Sequence, residues 1–302
     1  MQAIGIKNLK KEYSSGLMAV NNVCLNIRKG DFFALLGPNG AGKSSIISIM
    51  ASLNYQSSGY IKIFNLCIKK YNNLIKNYIN IVPQEINFNQ FETPLEIIVH
   101  QAGYYGIKRN KALVRAEILL KYLGLWNKRN LSSRFLSGGM KRRLMLSRSL
   151  INQPKILLLD EPTTGIDLEL RYFTWNFLKK INNIGTTIIL TTHYLEEAEK
   201  LCKGIGIISK GKIIASTTIK KLKYKINIKT FIFKSSNKLP KNMFCENYNI
   251  IKINSFKFEL KVKKQQSLNI FLKYLEKNKI NIIDIYSKNN SLESFFFNIC
   301  NE

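Results

Sequence analysis

The chain has 302 residues with 47 basic and 19 acidic side chains, a formal charge of +28. Such a length can bury one large core or two modest ones. A content of 45% hydrophobic and 22% charged residues is that of a folded globular protein and argues against a disordered tail protein. No window reaches the ~18 apolar residues of a spanning helix. Met1–Tyr13 carries lysines without an apolar stretch or cleavage site, so no signal peptide is expected.

Taken in chain order, Ile4–Leu9, Val20–Ile27 and Phe32–Leu36 are short apolar runs bounded by turn residues, and read as strands. The third leads into Gly37-Pro38-Asn39-Gly40-Ala41-Gly42-Lys43-Ser44, and the apolar-periodic Ser45–Leu53 reads as a helix. This segment fits G-x-x-x-x-G-K-[ST] in the strand–loop–helix setting that gives the motif meaning. Its glycines let backbone amides turn inward as an anion nest at a helix N-terminus. Lys43 would reach β- and γ-phosphate oxygens, and Ser44 would offer its hydroxyl to Mg²⁺, which prefers hard oxygen ligands. Alone, the motif says only that a nucleoside triphosphate binds.

Between Thr93 and Leu150 the pattern turns helical, clearest over Ala112–Leu123, and reads as a helical insertion of about residues 85–150. Near its end Leu136-Ser137-Gly138-Gly139-Met140 precedes a helix-like run, Lys141–Ile151. Ser137 with Gly138 and Gly139 at a helix N-terminus makes a second anion-binding corner. Two such corners exceed the needs of one nucleotide. A head-to-tail homodimer resolves this, each ATP being cradled by one copy and capped by the other's Ser-Gly-Gly corner.

Lys155–Asp160 reads as a buried strand whose terminal carboxylates, Asp160 and Glu161, reach the C-terminal edge of a sheet, where α/β ligand sites lie. Asp160 would hold Mg²⁺, directly or through water. Glu161 would face the γ-phosphate and orient the attacking water as general base. A solvated acidic turn is the bland alternative. Leu168–Ile181 then reads as helix and Thr186–Thr191 as strand. This alternation predicts an α/β fold: a P-loop NTPase core with a mainly parallel sheet. Past Leu222, Thr230–Lys234 and Phe256–Val262 alternate as strands, Leu268–Lys277 reads as helix and Ile280–Ile285 as strand. The expected division is a nucleotide-binding domain over 1–222 and a small α+β C-terminal extension over 223–302, without internal repeats.

These motifs together resemble the ATP-binding cassette (ABC) family over Ile4–Leu222. The family's signature loop matches Leu136–Met140, with Met140 where Gln is commoner. The resemblance implies that Gln84, in Val82-Pro83-Gln84-Glu85, senses the γ-phosphate and Mg²⁺ and relays to a membrane partner. It implies that His193, in Thr191-Thr192-His193, contacts the γ-phosphate and positions water. Tyr13 matches the aromatic that stacks on adenine, and Asp167 the D-loop aspartate, although Thr164-Gly165-Ile166-Asp167 departs from the commoner Ser-Ala-Leu-Asp. Within the family the chain looks closest to ATPase subunits of ABC-2-type exporters, the YadG-like group. That likeness rests on Gln101-Ala102-Gly103-Tyr104-Tyr105-Gly106, Gly139-Met140-Lys141-Arg142-Arg143-Leu144 and the closing Ser291-Leu292-Glu293-Ser294-Phe295-Phe296-Phe297. It implies an ATPase that drives a separate integral membrane permease from the cytoplasmic face of the cell membrane.

The charge admits another reading, an ABC ATPase acting on ribosomes or nucleic acid. Yet Ile and Asn make up roughly a quarter of the chain and lysine far outnumbers arginine. All three residues have A/T-rich codons, so genome drift accounts for scattered basic residues. No specific nucleic acid is therefore expected as partner. Cys24, Cys67, Cys202, Cys245 and Cys300 form no C-x-x-C pair and read as reduced structural thiols. His100 reads as structural. The transported substrate leaves no trace in an ATPase subunit.

Overall fold

The computed structural model describes residues 1–225, 228–240, 243, 245, 248–263 and 266–288. The chain divides into two units, Met1–Ile219 and Lys220–Glu302. In order, the first begins with β1 (Gln2–Glu12), β2 (Met18–Arg28), β3 (Phe32–Leu36), α1 (Lys43–Met50), β4 (Ser58–Ile63) and β5 (Leu66–Cys67). Next come α2 (Asn72–Lys76), β6 (Ile79–Val82), α3 (Pro94–Tyr104), α4 (Arg109–Tyr122) and α5 (Gly138–Leu150). It continues with β7 (Ile156–Asp160), α6 (Leu168–Asn183), β8 (Thr187–Thr192), α7 (Leu195–Leu201), β9 (Gly204–Ser209) and β10 (Lys212–Thr218). A further helix, α8 (Ile219–Lys225), follows.

The central sheet has six strands in the order β10-β9-β3-β8-β7-β6, and every neighbouring pair is parallel except β10 with β9. Every residue of β3, β7 and β8 is buried. Parallel strands covered on both faces read as unbroken apolar runs for this reason, which is why they stand out in the sequence. β9 and β10 lie beyond the run of strands expected from sequence. The polar β10, exposed on alternate residues, gives a hairpin edge rather than a core signal.

The first two predicted strands do not join this sheet. β1 and β2 pair antiparallel across the short connection Tyr13–Leu17, and β4 and β5 complete a four-stranded antiparallel sheet in the order β2-β1-β4-β5. So short a link cannot make a parallel crossover. α1 packs between the two sheets: Ile46, Ile47, Ile49 and Met50 share one core with Ile4, Ile6 and Val23 on one side and Phe33, Leu158 and Ile189 on the other. The loop before α1 is thereby anchored from both sides.

α3, α4 and α5 form the expected helical block around its own core of Ile98, Ala102, Ala116, Leu120, Leu136 and Leu144. α3 starts at a capping box in which Thr93 and Glu96 exchange side-chain and backbone bonds. α1 and α5 each begin earlier than their apolar periodicity suggests: α1 starts at Lys43, where the glycine-rich loop turns directly into it, and α5 at Gly138, where Ser137 caps a first turn that opens with two glycines.

The second unit contains β11 (Ile228–Ser235), β12 (Asn249–Lys252), β13 (Lys257–Lys263), α9 (Leu268–Lys277) and β14 (Ile282–Lys288), with an antiparallel sheet ordered β12-β13-β11-β14. Phe233 and Phe258 stack at 4.9 Å between ring centres, and α9 lays Phe271 and Leu275 onto them. The α+β character agrees with the sequence reading. The last strand starts two residues late because Ile280 is buried where the chain leaves α9, its amide bonded to the Leu275 carbonyl. The closing pattern Ser291–Phe297 lies outside the described residues. No helix among the described residues is long and apolar enough to cross a membrane.

Candidate functional site

The glycine-rich loop leaves β3 at Gly37. Gly42 caps α1 with φ at 99°, and a Cβ there would stand 2.2 Å from the Ala19 carbonyl oxygen. Only glycine satisfies both the left-handed turn and the close approach. A Cβ on Gly37 would meet the Ile208 carbonyl oxygen at 2.4 Å. The Ala41 carbonyl accepts from the Gly211 amide at 3.1 Å, so the β9–β10 hairpin braces the loop.

Lys43 points into the loop it follows. Its Nζ donates to the carbonyls of Gly37 at 2.9 Å and Pro38 at 3.0 Å, and lies 3.4 Å from Glu161 Oε1. Ser44 Oγ donates to Asp160 Oδ1 at 3.2 Å, and the same oxygen accepts from Thr191 Oγ1. The Ser44–Asp160 bond joins residues 116 positions apart in the chain. The sheet register makes these contacts possible: Leu36 pairs with Thr192 and Asp160 with Thr191, so three neighbouring strands end together. Gly37, Glu161 and His193 thus emerge side by side at the carboxyl edge, where α/β sheets place their ligands.

Glu161 is buried and has φ at +47°, a left-handed conformation that a residue bearing a Cβ rarely adopts. Such a state costs about 1–3 kcal/mol and persists only when neighbours over-determine it. Its N–H donates to the Thr191 carbonyl at 3.2 Å and to Thr191 Oγ1 at 3.0 Å. Its Oε2 accepts from Thr164 Oγ1 at 3.1 Å and lies 3.2 Å from His193 Nδ1. Burial pushes the Glu161 carboxyl upward, but Lys43, then His193, and the Thr164 bond outweigh it, so its pKa lies below the ordinary carboxylate value. The group is a carboxylate at neutral pH, able to accept a proton.

The other sequence-predicted residues fall in two places. Tyr13 reaches the first turn of α1, just past the loop: its hydroxyl lies 3.1 Å from Ser45 Oγ, and Lys11 Nζ stands 4.9 Å from its ring centre. Gln84 follows β6 at the same sheet edge, its carbonyl accepting from Arg142 at 2.9 Å. Ser137, Gly138, Gly139 and Asp167 assemble elsewhere. Ser137 caps α5, its Oγ accepting from the Met140 amide at 3.3 Å. Asp167 caps α6, accepting from the Leu170 amide at 2.8 Å. A Cβ on Gly139 would meet Leu170 Cδ2 at 2.4 Å, so the two caps adjoin. Among the described residues no hydrogen bond or ion pair links this second group to the glycine-rich loop of its own chain. His100 pairs with Glu92 at 3.1 Å on the surface, away from this constellation.

Two residues at the site escape sequence reasoning. Thr191 holds both Asp160 and Glu161. A run of threonines ending a buried strand is a usable hint for it. Arg142 bonds only to main-chain carbonyls, and nothing in the side-chain pattern points to those.

Residues 20–164 match the protein family described as "ABC transporter". The linearmycin resistance ATP-binding protein LnrL of Bacillus subtilis (strain 168) is 37% identical over 70% of this chain and 68% of its own length. The Nod factor export ATP-binding protein I of Burkholderia orbicola (strain AU 1054) is 36% identical over 70% of this chain and 69% of its own. Among solved structures, the dimeric post-hydrolysis state of the ATP-binding cassette MJ0796 bound to ADP and Pi superposes with a TM-score of 0.66. It shares 28% identity, covering 72% of this chain and 98% of that one. These relatives lend no support to the narrower YadG-like placement or to a nucleic-acid role.

Proposed function

Since this chain belongs to the ABC transporter family of ATP-binding cassette ATPases, we propose that it is the energising subunit of an ABC-2-type exporter, coupled to a separate integral membrane permease. The exporter reading takes its support from relatives named for resistance and export. The carrying observation is the convergence of Lys43, Ser44, Asp160, Glu161 and His193 at one sheet edge through contacts of 3.4 Å or less.

In this reading the amides of Gly37–Ser44 wrap the phosphates, and Lys43 leaves its carbonyl and carboxylate partners for the β- and γ-phosphate oxygens. Ser44 Oγ and Asp160 Oδ1, 3.2 Å apart, are the hard oxygen donors that suit Mg²⁺, and Gln84 would complete the set. Mg²⁺ there would neutralise charge on the phosphate oxygens. Freed of Lys43, Glu161 takes a proton from the attacking water, while His193 holds the γ-phosphate side of the pocket. Tyr13 stacks on adenine. Domain bounds of 1–222 for this machinery and 223–302 for the extension follow the same reading.

Ser137, Gly138, Gly139 and Asp167 are solvent-exposed or separate from the loop of their own chain. In the proposed homodimer they close the nucleotide bound by a second copy. The permease docks at the cleft between β6 and α3, lined by Ala51, Leu53, Gln101, Tyr104 and Tyr105. Leu53 and Tyr104 are exposed there. In this reading the chain sits peripherally on the cytoplasmic membrane face.

The test is light scattering of a Glu161→Gln variant loaded with ATP and Mg²⁺. A dimer that reverts to monomer on removal of nucleotide is expected. A monomer at every concentration, with the permease present as well, refutes the two-copy site.

A further inference from the structure

Arg142 lies one turn into α5, five residues after the cap at Ser137, and its side chain reaches the main chain on both sides of the hydrolytic carboxylate. Its guanidinium is buried, and all five of its N–H donors can be accounted for. Nε donates to the Pro162 carbonyl at 2.9 Å. One terminal nitrogen donates to Pro83 at 2.7 Å and Gln84 at 2.9 Å. The other donates to Asp160 at 3.2 Å and Glu161 at 2.7 Å. Every acceptor is a main-chain carbonyl. Burial lowers the Arg142 pKa from its ordinary value, and Asp160, Glu197 and Glu161 offset that only in part.

That bonding pattern is unlike an ordinary buried ion pair. A planar fork with fixed donor directions constrains the backbone it grips, which a point charge on a flexible stem does not. The grip falls on two segments, Pro83–Gln84 and Asp160–Pro162, and on both peptide groups flanking Glu161. On its other side the Glu161 amide is held by Thr191. The left-handed turn at Glu161 is therefore clamped from both ends, and this turn aims the carboxylate at Lys43 and His193.

We propose that Arg142 is a positioning residue for ATP hydrolysis, locking the Glu161 main chain in its left-handed turn and tying it to the Gln84 segment and to α5. The inference rests on the reading of Glu161 as general base. Arg142 touches no substrate and acts only through the residues whose carbonyls it holds.

Full-length wild type, Arg142→Gln, Arg142→Lys, Glu161→Gln and the Arg142→Gln/Glu161→Gln double variant are compared for ATP turnover, ATP affinity and thermal unfolding. Loosening the carboxylate by a fraction of an ångström should lower turnover about 10- to 100-fold in Arg142→Gln, with ATP affinity within about 3-fold of wild type. Arg142→Lys, with three donors for five acceptors, should fall between the two. In the Glu161→Gln background the Arg142 change should cost less than about 2-fold, because the group it positions is gone. Equal losses in both backgrounds, or unchanged turnover in Arg142→Gln beside a normal Glu161→Gln defect, overturn the assignment. Unchanged turnover in Glu161→Gln removes the base itself, and with it the route through which Arg142 acts. If Arg142→Gln does not fold, Arg142→Lys in the same two backgrounds decides by the same criterion.

Discussion

Lys43→Met probes the electrostatics of the nucleotide-free site. The substitution keeps the length and apolar stem of the side chain and removes a cation 3.4 Å from Glu161 Oε1, both side chains being under a tenth exposed. Deleting one partner of a buried pair costs about 3–5 kcal/mol, because the remaining charge stays buried without compensation. His193 and Thr164 still face Glu161, which favours the low end, about 3 kcal/mol. For a unit of this size that is a fall of roughly 6–12 °C in melting temperature. Both tryptophans, Trp126 and Trp175, lie in Met1–Ile219, so their fluorescence in urea follows this unit alone.

The pH dependence has a definite sign. In the wild type Glu161 has a depressed pKa, so its contribution is present above the unfolded carboxylate value and is lost as pH falls through the folded one. Without Lys43 the effect of burial is less opposed, and the folded pKa moves upward. The stability gap between wild type and Lys43→Met should therefore be full at neutral pH and narrow as pH drops towards about 4. Adding Glu161→Gln to Lys43→Met should restore more than half of the loss. A gap that does not change with pH, or a double variant whose losses simply add, refutes the buried-pair argument.

Glu161→Gln alone should retain ATP binding and slow turnover by about 10² to 10⁴, read in single-turnover hydrolysis; wild-type rates would remove it as base. Tyr13→Ala should weaken ATP binding roughly 3- to 10-fold by losing ring contact with adenine. Tyr13→Phe, which loses only the contact with Ser45, should stay within about 2-fold, and a larger effect in a fluorescent-nucleotide titration would put the hydroxyl in charge. Gly42→Ala forces a Cβ to 2.2 Å from the Ala19 carbonyl at φ 99°. It should cost well over 1 kcal/mol in melting experiments and abolish nucleotide binding; normal affinity would mean that the loop is not the phosphate cradle.

Much of the site was legible because its chemistry is local. The loop Gly37–Ser44 carries its own amides, cation and hydroxyl within eight consecutive residues, so spacing alone betrays it. Asp160 and Glu161 are visible as acidic residues closing an apolar strand buried on both faces. The helical block and α9 show because a 3.6-residue period needs no long-range partner. Gln84, His193, Tyr13 and Asp167 came only through family resemblance, since a lone glutamine, histidine, tyrosine or aspartate has many bland uses. β4 and β6 stayed hidden because each is short or interrupted by polar residues.

Residue order alone determined that a nucleotide-binding α/β core, a helical insertion and an α+β extension would form, since periodicity and burial patterns act over a few residues. Tertiary structure decided which strands became neighbours. Register set Thr191 opposite Asp160 and Thr192 opposite Leu36, bringing Lys43, Glu161 and His193 together across more than a hundred residues of chain. It also turned Arg142 inward onto five carbonyls. Main-chain carbonyls are the same at every position, so a contact made to them leaves no mark in the order of side chains and exists only once the chain has folded around it.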